Sequence, residues 1–156
     1  MAGKILGSRL EGTTLVVETS DGEQTYDSRF LVAALLVFVA RGSGRIEPEE
    51  SNKIIELIED HFHMQGAESL ELITYAMSEM MEKPSLPRRL AELGKTLSVS
   101  EKEDIALMAL KVMAADGRRD SAELEQFNRA MAGLGVAADT VHRAFDRYFS
   151  ETMPGD

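Results

Sequence analysis

The sequence predicts an all-α protein, a compact bundle of about six to seven helices built from two pseudo-repeated helical units, preceded by a short N-terminal hairpin or irregular arm. Three observations predict it. Apolar residues recur at helical spacing from Ser28 to Phe149, and Gly-, Pro- and acid-rich turns interrupt them. The pattern of the first half also returns in the second, with Gly117 falling where Gly44 stands, 73 residues earlier.

The N-terminal stretch differs from the rest. Leu15, Val16 and Val17 precede Ser20-Asp21-Gly22-Glu23, a hairpin-type turn with β-branched flanks. Residues 1–27 therefore read as an arm or hairpin that leans on the helices, because an isolated two-stranded hairpin is marginal in water. From Ser28 the side chains of Phe30, Leu31, Ala34, Leu35, Val37, Phe38 and Val39 leave almost no polar face until Arg41, which places this helix at the centre. Gly42-Ser43-Gly44 breaks it. Glu47-Pro48-Glu49-Glu50 opens a second helix, with proline suited to the first helical position and carboxylates to the positive N-terminal end. That helix carries Ile54, Ile55, Leu57, Ile58 and Phe62 and ends at Gln65-Gly66. A third runs from about Glu68 to Pro84.

The joint Pro84-Ser85-Leu86-Pro87 divides the helical part, with a short helix from about Arg88 to Leu97 after it. Ser100-Glu101-Lys102-Glu103 matches a capping box and opens a helix with Ile105, Leu107, Met108, Leu110 and Val112. Asp116-Gly117 stops that helix, Asp120-Ser121-Ala122-Glu123 opens the next, and a last one follows Gly135 with Val141, Phe145, Tyr148 and Phe149. The domain reading is an arm over 1–27, a helical domain over 28–150 with halves of about 28–83 and 100–150 around a linker helix at about 86–97, and a frayed tail over 151–156.

Composition limits the function classes. Asp and Glu number 27 against 17 Lys and Arg, a formal charge of −10, which repels phosphate backbones and anionic lipid and excludes nucleic acid as an expected partner. Cations or basic protein surfaces suit such a chain. The absence of cysteine removes thiolate metal sites and a Cys nucleophile, and fits a reducing compartment. The longest apolar run, Phe30 to Ala40, is too short for a bilayer and starts too far in for a signal peptide, so the expected location is cytoplasmic, with no transmembrane segment.

At the 73-residue offset, Ala40 meets Met113, Arg45 meets Arg118, Glu47 meets Asp120, Glu50 meets Glu123, Ile54 meets Phe127 and Ile58 meets Met131. Two helix-turn-helix units of this kind cannot bury their apolar faces alone and should share one core. The second copy, Met113 to Glu123, resembles the signature of the TerB-like tellurite-resistance family, in which an apolar helix ends in Ala-x-x-Asp-Gly and a Glu follows inside the next helix. The first copy, Val39 to Glu50, resembles it too, with Ser43 where the family has Asp. This resemblance implies an all-helical fold of duplicated halves, a divalent-cation site at the acidic turns, and association with stress-response or membrane-linked protein assemblies. Carried over by position, the metal candidates are Asp116 and Glu123 in the second copy and Glu50 in the first. Glu47 and Asp120 join them from local chemistry, and Ser43 removes one carboxylate from the set.

The same acids support two readings. Ca²⁺ or Mg²⁺ takes clustered oxygen ligands, and Asp116, Asp120 and Glu123 lie within one turn and one helix start. Helix capping explains them without metal: Asp120 accepts from free N–H groups and Glu123 closes the box, contributing about 1 kcal/mol. His61 and His63, beside Glu59 and Asp60, are two apart and point to different faces of a helix, which fits a solvated helix end. His142 has no partner legible in the sequence, and the methionines read as core filler. No nucleophile with a base, phosphate loop or split carboxylate pair can be identified, so the expected function is a non-catalytic acidic module. The alternatives are a metal-dependent hydrolase-like enzyme, which needs a pocket with an open metal position, and a purely structural interaction domain.

Overall fold

The computed structural model describes residues 4–41, 46, 48–82, 86–115 and 121–152. Over these residues the chain forms a three-stranded sheet followed by seven helices. The strands β1 (Ile5–Glu11), β2 (Thr14–Thr19) and β3 (Gly22–Asp27) are antiparallel in the order β1-β2-β3. The expected hairpin is β2 and β3, turning at Ser20-Asp21. β1 is an addition to the expectation: Gly7, Ser8 and Arg9 dilute its alternation, and the two-residue turn that pairs it depends on Gly12 at φ +62°.

The sheet leans on the helices as an arm must. Leu15 and Val17 enter the core, with Leu10 and Tyr26 packed beside them. Helix α4 (Leu86–Thr96) supplies the polar anchors: the Ser8 hydroxyl donates to the Glu92 carboxylate, and the Arg89 guanidinium lies 4.7 Å above the centre of the Tyr26 ring.

Helix α1 (Ser28–Ala40) is the central rod. Its run from Leu31 to Val37 is buried on every side, and Asp27 caps its start by accepting from the Arg29 N–H at 2.9 Å. Around it stand α2 (Pro48–Phe62), α3 (Gly66–Glu82), α5 (Val99–Ala114) and α6 (Ser121–Leu134), and α7 (Ala138–Thr152) packs on α5. The packing follows the repeat. α1 touches α2 and α3 of its own half and α5 and α6 of the other, while α5 touches α6 and α7 of its own half and α1 and α2 of the other. The aligned pairs Ile54/Phe127 and Ile58/Met131 are all buried in one core. α4 breaks the symmetry, lying on α1, α6 and β1.

Several boundaries move. The cap of α5 is Ser98 rather than Ser100: its Oγ accepts from the Glu101 N–H at 3.1 Å and donates to the Glu101 carboxylate, so the box is Ser98-Val99-Ser100-Glu101. Both registers contain a Ser three residues before a Glu, and only the earlier one frees Glu103 to meet α7. α2 ends at Phe62, and His63 leaves it in the left-handed conformation, φ +56°, while Met64 N–H returns to the Glu59 carbonyl at 3.0 Å. His63 thus lies outside the helix. α6 ends the same way with glycine: Gly135 has φ +77°, its N–H reaches Ala132 and that of Val136 reaches Met131.

Candidate acidic turn site

Of the five acids singled out in the sequence, Glu47, Asp116 and Asp120 lie outside the described residues, as does Ser43. Glu50 and Glu123 are described. Each is the third residue of its helix, α2 and α6 respectively, and each is buried, Glu50 at 0% and Glu123 at 2% exposure. Neither residue stands without an interaction. Among the described residues only one other acid, Glu92, is buried, so two of three buried acids occupy equivalent places in the repeat.

An internal comparison sets this burial beside an exposed capping residue. Glu101 is also the third residue of its helix and closes the α5 capping box, yet it is exposed. A third-position Glu can cap a helix in water; Glu50 and Glu123 hold the same position buried, where a charged carboxylate carries a desolvation cost of several kcal/mol unless compensated.

Gln126, one turn into α6 from Glu123, donates from Nε2 to the Phe38 carbonyl at 3.4 Å, near the C-terminal end of α1. Ile46, between α1 and α2, packs against the core. The start of α6 therefore lies beside the end of α1. No group of three or more His, Asp or Glu with metal-binding geometry occurs among the described residues.

Other charged groups form sites that the sequence reading passed over. Glu103 accepts from Arg143 at 2.9 Å and Arg147 at 3.0 Å, and Asp104 from Arg147 at 2.8 Å, binding α5 to α7. Those two arginines hold the Glu103 carboxyl below its ordinary range. For Glu92, burial pushes the carboxyl up, but hydrogen bonds from Lys95 and Ser8 and the Lys95 charge outweigh it and hold the carboxyl down. The signal for Glu103 existed in the sequence, since Arg143 and Arg147 are one turn apart on one helix face. It was hidden by assigning Glu103 to the capping box.

Two of the three histidines line clefts. His61 lines one of about 220 Å³ with Asp60, Asp104, Lys111 and Arg147, between α2, α5 and α7. His142 lines another of about 370 Å³ between α6 and α7, mostly with apolar neighbours including Met131, Val136 and Phe145. Neither Glu50 nor Glu123 lines either cleft. Met108 and Met131 are buried, as core filler should be. No helix among the described residues is long and apolar enough to cross a membrane.

Comparison with curated proteins and with solved structures gives no match. The family model described as Tellurite resistance protein TerB matches residues 29–146, which takes in all seven helices in whole or in part and most of the chain. The chain belongs to the TerB tellurite-resistance family.

Proposed function

We propose that this protein is a non-catalytic TerB module whose acidic turns, 43–50 and 116–123, bind a divalent cation such as Ca²⁺ or Mg²⁺ and couple the two halves, presenting the ion or the acidic surface to a basic segment of a partner protein. The observation that carries this reading is the burial of Glu50 and Glu123 at equivalent third positions, where the capping residue Glu101 is exposed. A hard cation compensates such carboxylates and takes further oxygen ligands from the neighbouring turn. Glu50 and Glu123 would anchor it from the helix starts, with Asp116, Asp120 and Glu47 as the turn ligands. The proximity of the α6 start to the α1 end supports one shared site over two separate ones. Ser43 in place of Asp leaves the first turn with fewer carboxylates, so the second turn should dominate the affinity. In the cell this module would act in the cytoplasm, within a stress-response assembly of the tellurite-resistance type, which includes membrane-associated proteins.

The test is calorimetric titration of Ca²⁺, Mg²⁺, Mn²⁺ and Zn²⁺ into chelator-treated protein, repeated on Asp116→Asn/Asp120→Asn and on Glu123→Gln, with circular dichroism to verify helicity. Saturable binding that is lost in the helical variants supports the site. Absence of binding in the unaltered protein leaves these acids as helix-start residues and assigns the function to protein contacts alone.

A further inference from the structure

We infer that the outer edge of β3 is a docking site for an extended, basic segment of a partner protein, which adds to the sheet as a fourth strand. The strand order leaves both β1 and β3 at sheet edges, but they differ. β1 packs against α4 and is interrupted near Leu6, where its register shifts. β3 pairs with β2 in unbroken register from Gly22 to Asp27, and Gly22, Glu23, Gln24 and Thr25 are exposed.

The direction of its backbone groups follows from the ladder. Ser28 N–H donates to the Thr13 carbonyl at 2.8 Å, so Thr13 and Ser28 face one another, and on β3 the residues two and four before Ser28, Tyr26 and Gln24, also face β2. Glu23, Thr25 and Asp27 consequently turn their N–H and C=O groups outward. Proline, lysine and bulges are among the devices that block exposed edges in soluble proteins. β3, Gly-Glu-Gln-Thr-Tyr-Asp, has none of these. Its outward backbone groups form the kind of template to which a peptide strand adds.

Charge selects the occupant. On the solvent face of the sheet Arg9 is shared among Glu11 at 2.6 Å, Glu18 at 2.8 Å and Glu23 at 3.0 Å, one cation against three carboxylates, and Asp21 adds a further negative charge at the turn. These pairs are exposed and individually weak, so an incoming lysine or arginine can compete for Glu23 and Glu18. A second copy of the chain would bring the same acids against each other on a protein of charge −10, which disfavours self-pairing. A strand with alternating basic residues on the solvent side satisfies both the edge and its charge.

The experiment uses the full chain, a short peptide alternating lysine and valine, and a control peptide of equal charge with proline at every second position, which cannot extend a sheet. NMR amide shifts and hydrogen exchange are read at Glu23 and Thr25. The alternating peptide should bind, slow exchange at these two amides and lose at least about tenfold in affinity in Glu23→Lys and in Thr25→Pro, whose N–H lies outside the ladder. Glu23→Lys leaves β3 without proline and keeps the test valid if Thr25→Pro disturbs the sheet. Equal binding of the proline peptide reduces the effect to nonspecific charge and overturns the proposal. So does absence of binding, or a dimer seen in sedimentation that Thr25→Pro dissolves, which would assign the edge to a second copy.

Discussion

Gly94 of α4 faces the last turn of α6 so closely that a Cβ there would stand 1.9 Å from the Leu134 carbonyl oxygen. This contact fixes how near the unpaired helix α4 approaches the bundle, with Leu90 and Leu93 buried alongside. Gly94→Ala should therefore destabilise. Alanine gains about 1 kcal/mol in helix propensity, but the clash is with backbone, which cannot rotate away. A net loss of about 3 kcal/mol is expected, lowering Tm by about 6–12 °C in thermal unfolding. A change within about 0.5 kcal/mol would show that α4 is not held against α6.

α4 also carries the pH dependence that is easiest to isolate. The Glu92 carboxyl is held below its ordinary value, so as pH falls the unfolded chain takes up the proton first and stability declines. The contribution is fully present above the ordinary carboxylate range and is lost as pH drops through it toward the lower folded value. Glu92→Gln should cost about 1–2 kcal/mol at pH 7 in urea unfolding, and the gap to the unaltered protein should close in acid. Ser8→Ala should show the same trend at smaller amplitude, because Lys95 remains at 2.8 Å. A gap that stays constant down to acid pH would mean that Glu92 acts through packing rather than charge.

The two helix exits allow a paired test of backbone strain. His63 and Gly135 hold the same place after α2 and α6, both left-handed, yet only one is glycine. A non-glycine residue in this conformation costs about 1–2 kcal/mol, partly offset because glycine frees the unfolded chain by about 0.4–1 kcal/mol. His63→Gly should thus stabilise by about 0.5 kcal/mol. Gly135→Ala should destabilise by about 1 kcal/mol, since a Cβ there meets nothing closer than Lys102 Nζ at 3.9 Å and only the backbone opposes it. Equal and opposite urea midpoints are not expected; opposite signs are.

The helical bundle was legible in the sequence because its signals are local. Leu31 to Val37 announces a buried rod by having no polar face, and Pro48 and Gly135 punctuate helices where proline and glycine have physical reasons to stand. The repeat survived as well, since matching apolar positions such as Ile54 and Phe127 are what a shared core demands. What stayed hidden depends on distant partners. β1 became a strand through pairing with β2, and Glu103 found its role in Arg143, 40 residues away. The repeat also explains the charged cleft. At the 73-residue offset Asp104, Lys111 and His61 correspond to Leu31, Phe38 and Leu134 of α1 and α6, the helices on which α4 packs. Where α4 packs on α1 and α6 these three positions are apolar, and in the cleft they are Asp, Lys and His beside Leu57, Leu107 and Met108. The acidic turns were legible as candidates, but that Glu50 and Glu123 are buried while Glu101 is not could be read only from the packing.

If a cation joins the two turns, it must also stabilise the fold, because an ion bound only by the folded state shifts the unfolding equilibrium by mass action. At a free concentration about 100 times its dissociation constant, the gain is about 2.7 kcal/mol, a rise in Tm of about 5–11 °C for a chain of this length. Excess EDTA should reverse it. Asp116→Asn/Asp120→Asn should start from a similar Tm in EDTA, since it removes ligands and not core, and should fail to rise on adding Ca²⁺. This separates the ion from capping: a cap contributes its roughly 1 kcal/mol with or without chelator, so loss of capping alone would lower the variant's Tm equally in both conditions.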